Sequence, residues 1–115
     1  MIIHRCEMEI IKEECAEKGI GLLKIINLLE LFEKKEKVDG ITFAELLPGS
    51  SVGYHIHDGE SEMYYILSGS GIYNDNGINN SIGEGDFTIT KSKEGHGIEN
   101  TGKTVMTFMT FLVLD

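Results

Sequence analysis

GSSVGYHIHDGESEMYYILSG, residues 49–69, is the stretch whose reading decides the fold. Its alternating and β-branched residues read as two short strands, 52–57 and 62–68, separated by the turn-forming Asp58-Gly59-Glu60-Ser61. Side chains at i and i+2 of a strand share a face, so His55 and His57 project together, their backbones about 7 Å apart. The turn lets Glu62 open the next strand and bring a carboxylate back to the same region. Two imidazoles and a carboxylate suit zinc, iron, manganese, nickel or cobalt.

A second stretch, GDFTITKSKEGHGIEN at 85–100, offers a fourth ligand. His96 stands between Gly95 and Gly97, which let the backbone turn sharply and present an imidazole. Three histidines and one glutamate leave one or two positions open on a five- or six-coordinate metal, as a catalytic or ligand-binding site requires.

These two stretches resemble the paired motifs of the cupin family. The first motif, G(X)5HXH(X)4E(X)6G, is matched at Gly49, His55, His57, Glu62 and Gly69. The second, G(X)5PXG(X)2H(X)3N, is matched at Gly85, His96 and Asn100, with Lys91 and Lys93 standing where proline and glycine are usual. The resemblance implies a jelly-roll β-barrel with one divalent transition metal per chain (Mn, Fe, Ni, Zn or Co) held inside by His55, His57, Glu62 and His96. It further implies a homodimer paired through sheets and N-terminal segments. Family activities include dioxygenation, decarboxylation, isomerisation and non-catalytic ligand binding, so the fold does not select among them.

Outward from the motifs, the chain keeps the texture of short strands joined by tight turns. Further strands are expected at about 41–47, 71–74, 78–82, 86–90, 96–100 and 104–113. Pro48-Gly49, Asn74-Asp75-Asn76-Gly77 and Gly83-Glu84-Gly85 are the turns between them. Eight strands at this spacing predict an all-β sandwich or closed barrel. The chain changes character near residue 40: twelve of its fourteen glycines lie at or beyond Gly40. Residues 1–39 accordingly read as an N-terminal extension packed on a barrel domain of 40–115, the two forming one structural domain. Within the extension, Met8, Ile11 and Cys15 recur at helical spacing and Gly19 follows as a C-cap, which predicts a short amphipathic helix. Leu22 to Asn27 reads as an added strand, and Glu33 to Lys37 as a solvated turn.

At 115 residues, 41% hydrophobic and 25% charged, the composition is that of one ordinary globular domain. The net charge of −9 is concentrated in residues 40–115, which carry 3 bases against 10 acids. That balance repels phosphate backbones and anionic bilayers and argues against nucleic-acid or membrane partners. Cys6 and Cys15 lie outside any CxxC pair and read as reduced thiols. No stretch of signal-peptide or membrane-spanning character occurs, which places the protein in the cytoplasm.

Several residues have plainer readings. Tyr64 shares strand parity with Glu62 and is a candidate partner for a ligand from outside the metal shell. Asn100 is expected to hold a turn through side chain to backbone bonds. His4 reads as a surface residue, Lys91 and Lys93 as a solvated turn, and Met106, Phe108, Met109 and Phe111 as barrel lining plus sheet packing or dimer contact. The function these features predict is a metal-dependent enzyme acting on a small polar carboxylate or sugar-like molecule in the barrel mouth. A non-catalytic module that holds or senses such a ligand is the alternative. The enzyme reading lacks an acid or base: apart from the ligands, only Tyr64 or an acid not yet located is available.

Overall fold

The computed structural model describes residues 1–31 and 36–115. Ten strands follow in order: β1 (Ile11–Glu14), β2 (Leu22–Asn27), β3 (Val38–Leu46), β4 (Ser51–Ile56), β5 (Glu60–Ser68), β6 (Ser70–Asp75), β7 (Ile78–Gly83), β8 (Phe87–Thr90), β9 (Gly95–Glu99) and β10 (Met106–Leu114). All eight strands expected beyond residue 40 are present, and their ends shift by no more than three residues.

The strands form two antiparallel sheets, ordered β1-β2-β3-β10-β5-β8 and β4-β9-β6-β7. Strands distant in sequence are neighbours in space: β10 lies between β3 and β5, and β9 between β4 and β6. This is a jelly roll, extended on the larger sheet by β1 and β2. The core between the sheets is built by alternation. Ala44 and Leu46, Tyr64 and Ile66, and Met106 and Phe108 point inward from the larger sheet, and Val52, Tyr73, Ile82 and Ile98 meet them from the smaller one. Complete burial of Leu46, Ile66, Met106 and Phe108 contributes about 1.5–3 kcal/mol each.

The turns obey local chemistry. Asn76 and Gly77 take φ of 52° and 93°, both positive as a two-residue hairpin of the Asn-Gly kind requires, and Asn74 Oδ1 accepts from Gly77 N at 2.7 Å. Asn100 is fully buried and does what its position predicted: its Nδ2 donates to Leu46 O at 2.9 Å and Thr104 O at 2.8 Å.

The N-terminal expectation needs correction. No α-helix forms over Met8 to Cys15; Ile11–Glu14 is strand β1, in register with β2 as Ile11 opposite Ile25. Three apolar residues at helical spacing offer less than a ladder against an existing sheet edge, and Cys15 in the left-handed region at φ 52° breaks any helix there. Among the described residues of the extension, helical character is confined to 3-10 turns at Arg5–Glu7, Ala16–Lys18 and Leu29–Leu31. The added strand expected at Leu22 to Asn27 is β2. Of the expected turn at Glu33 to Lys37, Glu36 and Lys37 are exposed bends, and residues 33–35 lie outside the described residues.

Candidate metal centre

The four residues that the motifs single out lie together. One ligand atom from each of His55, His57, Glu62 and His96 falls within 4.8 Å of all the others, a grouping that can hold a metal ion. His55 comes from β4, His57 from just past its end, Glu62 from β5 and His96 from β9. His55 and His96 are directly opposed in the antiparallel pair β4–β9.

Simple alternation would not bring Val52 and His55 to one face, because they are three residues apart. The register of β4 against β9 shifts between them, so that Val52 opposes Ile98 while His55 opposes His96. The extra residue on β4 is a β-bulge, which re-aims the strand beyond it. Gly97 lies across from this irregularity, where a Cβ would crowd Tyr54 N and Val52 O at 3.0 Å.

Three short distances define the cluster: His57 Nε2 to His96 Nε2 at 2.9 Å, His96 Nε2 to Glu62 Oε1 at 3.0 Å, and His57 Nε2 to Glu62 Oε1 at 3.2 Å. Ligands about 2.1 Å from a shared ion stand about 3.0 Å apart at right angles and about 3.4 Å apart in a tetrahedron. The spacing therefore fits the cis positions of a five- or six-coordinate ion, and the donor set of three imidazoles and a carboxylate fits a divalent transition metal.

Each imidazole is oriented from behind. His55 Nδ1 donates to Gly53 O at 2.8 Å, leaving Nε2 free as a ligand. His96 Nδ1 meets the Tyr73 hydroxyl at 2.6 Å, and that hydroxyl lies 3.1 Å from Thr90 Oγ1. His57 Nδ1 faces the Glu60 carboxylate in a looser pair at 3.6 Å. The three rings pack edge to face, with centroids 4.7–4.9 Å apart.

The electrostatics follow from burial and the Glu62 charge. Burial alone would push the Glu62 carboxyl up, but hydrogen bonds from His57 and His96, together with their charge, hold it at about 2. The hydrogen bond to Glu62 raises His57 against the opposing effect of burial, whereas burial dominates at His96 and lowers it. Burial drives Tyr64 well above the ordinary phenol range, with the charges of Glu62, Tyr73 and Glu17 adding to it.

A cavity of about 160 Å³ adjoins the cluster, lined by His55, Glu62 and Tyr64 on one side and by Glu13 and Glu17 of the N-terminal segment. Tyr64 points inward as expected, its ring stacked on Phe108 at 4.8 Å and 5.0 Å from that of His96. Sequence reasoning missed three participants. Tyr73 was concealed because its strand shows weak alternation, and Glu13 and Glu17 because nothing local says that an N-terminal acid folds over the barrel. Lys91 and Lys93 form an exposed turn, as expected. Lys93 keeps φ at 75°, the conformation to which the motif's glycine is suited, and its Nζ pairs with Asp58 at 2.8 Å. His4 is exposed, and Cys6 and Cys15 are free, exposed thiols.

Known proteins resemble this chain to different degrees. The family model described as Cupin domain matches residues 42–113. An oxalate-binding protein of Thermotoga maritima is 43% identical over 96 residues, which are 84% of this chain and 79% of that protein. The crystal structure of a predicted oxalate decarboxylase from Thermotoga maritima matches with a TM-score of 0.91 at 37% identity, covering all of both chains. A sugar phosphate isomerase of the cupin superfamily from Silicibacter pomeroyi matches with a TM-score of 0.82 over 100% of this chain and 76% of its own, and at 17% identity shares the fold alone.

Proposed function

The chain belongs to the cupin family, and from that premise we propose that it holds one divalent transition metal through His55, His57, Glu62 and His96 and, on the open side of that metal, a small polar carboxylate. The observation that carries this reading is the orientation of the rings. Partners at Nδ1 of His55, His57 and His96 turn donors of all three toward one point beside the Glu62 carboxylate. The metal, Mn, Fe, Ni, Zn or Co, supplies a Lewis acid that takes up a carboxylate oxygen.

Oxalate is the ligand to test first, because relatives at 43% and 37% identity are described as oxalate-binding and as a predicted oxalate decarboxylase. The protein's own groups would orient the ligand: the Tyr64 and Phe108 wall excludes water on one side, and Glu13 and Glu17 face it from the other. The same two acids favour a second reading, a metal-dependent decarboxylase or isomerase, since they supply the acid or base that the motifs alone lack. On either reading we place the protein in the cytoplasm; among the described residues no helix is long and apolar enough to cross a membrane.

We further propose a homodimer formed through the outer face of the larger sheet, with residues 1–39 an extension of the 40–115 barrel. Two cross-strand rows of apolar side chains support it: Phe43-Met109-Tyr65-Phe87 and Ile41-Phe111-Met63-Ile89. Tyr65, Phe87 and Ile89 are 43%, 59% and 46% exposed in the single chain, a continuous patch of the kind that marks an interface.

The direct test is elemental analysis of reconstituted protein followed by calorimetric titration with oxalate. One metal per chain and oxalate binding that disappears in the doubly substituted His55→Ala, His57→Ala chain are expected. A metal content near zero overturns the site. Formation of carbon dioxide or formate from oxalate distinguishes the decarboxylase from the binder.

A further inference from the structure

We propose that Glu17 is a specificity-determining residue of the metal-centre cavity, favouring small monoanionic carboxylates with a hydrogen-bond donor at the end away from the metal over dianions of the same size. This rests on the metal–carboxylate reading above and adds the class of ligand. Three observations carry it.

The backbone around Glu17 is strained and firmly seated. Cys15, Glu17 and Lys18 take φ of 52°, 49° and 62°, and none is glycine. Such residues persist only where the surroundings impose them, and they concentrate at functional sites. Here the imposing contacts are visible. The Glu17 carbonyl lies so close to Gly53 that a Cβ at Gly53 would collide with it, and a Cβ at Gly19 would collide with Ser51 O. Ser51 N donates to Ile20 O at 2.7 Å, and the Ser50 and Ser51 hydroxyls accept from Leu22 N and Ile20 N at 2.9 Å. The segment is thus strapped onto the bulge of β4, at the residue whose carbonyl orients His55.

The strap places Glu17 in the lining of the cavity. Among the described residues that line it, Glu13, Glu17, Glu62 and His55 are the ionisable groups beside Tyr64, and none is a lysine or arginine. Lys93, whose backbone N donates to His57 O at 2.7 Å, has its Nζ already paired with Asp58.

The chemistry follows. An ionised carboxylate accepts hydrogen bonds and donates none. At the end away from the metal, the second carboxylate of a dianion would face Glu17 as a like charge, with no lysine or arginine among the described lining residues to offset it. A hydroxyl or protonated carboxyl at that end forms a short, charge-assisted bond instead. Glycolate and half-protonated oxalate meet this requirement; fully ionised oxalate does not.

The test compares glycolate and oxalate by calorimetry at pH 7.5 on Mn(II)-loaded protein, with metal content measured before and after each titration. Glu17→Gln is expected to raise oxalate affinity and lower glycolate affinity, changing their ratio at least tenfold. Glu17→Asn, which suits the left-handed backbone, moves the ratio in the same direction, and circular dichroism verifies that both variants fold. Glu84→Gln makes the same charge change on a distant turn and leaves the ratio within twofold. A ratio unmoved by Glu17→Gln, or moved as far by Glu84→Gln, overturns the specificity role while leaving the metal–carboxylate reading intact. Wild-type protein that retains metal and binds neither ligand overturns both.

Discussion

Individual side chains determine how well the centre is held. Tyr73 touches no ligand position, yet its hydroxyl sits on His96 Nδ1 and fixes which nitrogen faces inward. Tyr73→Phe should therefore weaken metal binding about 10- to 100-fold with the fold intact, as read by competition with a calibrated chelator. Glu62 provides a pH signature. Its carboxyl sits at about 2 in the folded chain against an ordinary 4.5, so its contribution is complete above pH 4.5 and is lost as pH falls toward 2. In metal-free protein this amounts to about 3 kcal/mol at most, and thermal melts of Glu62→Gln should lose stability less steeply through that window than wild type. His57 works in the opposite sense: its pKa is raised, so its contribution is present below 6.5 and is lost as pH rises through the folded value. The four candidate ligands were legible from sequence, because HxH spacing on a strand and a glycine-flanked histidine are local facts. Tyr73 was not, because its partner lies 23 residues away.

At the scale of elements, the bulge in β4 joins the strap to the metal centre. The Cα of Gly53 lies against the Glu17 carbonyl, and its own carbonyl accepts from His55. A methyl group there must displace either the strap or the strand. Gly53→Ala is expected to cost about 1–3 kcal/mol in chemical denaturation and also to weaken metal binding, whereas Gly83→Ala, whose Cβ would meet only ordinary contacts, the nearest being Gly69 O at 3.7 Å, should leave metal affinity unchanged. The strands beyond residue 40 were readable because alternation and turn residues agree there. The helix expected at Met8 to Cys15 failed because a short apolar pattern cannot register a sheet edge waiting for a partner, and β2 supplied that edge.

For the whole molecule, the proposed dimer would join the two apolar rows on the outer sheet face of each copy through an isologous contact. Met109→Glu, at the centre of one row, should convert a dimer to a monomer in light scattering without moving the metal stoichiometry; a wild-type chain that elutes as a monomer at high concentration would argue against this interface. The charge of −9 is the sequence's argument against anionic polymers as partners. The structure adds that Glu13, Glu17 and Glu62 line the cavity, so an anionic ligand of the proposed kind would depend on the metal to enter. The sequence by itself determined the all-β class, the strand order along the chain and the set of three histidines and a glutamate, because periodicity, turn chemistry and ligand spacing are properties of short segments. Only the tertiary structure decided which strands become neighbours, where the bulge turns His55 toward His96, and that an N-terminal acid faces the centre. Those depend on backbone hydrogen bonds and close packing between segments far apart in the chain, for which a linear pattern carries no signal.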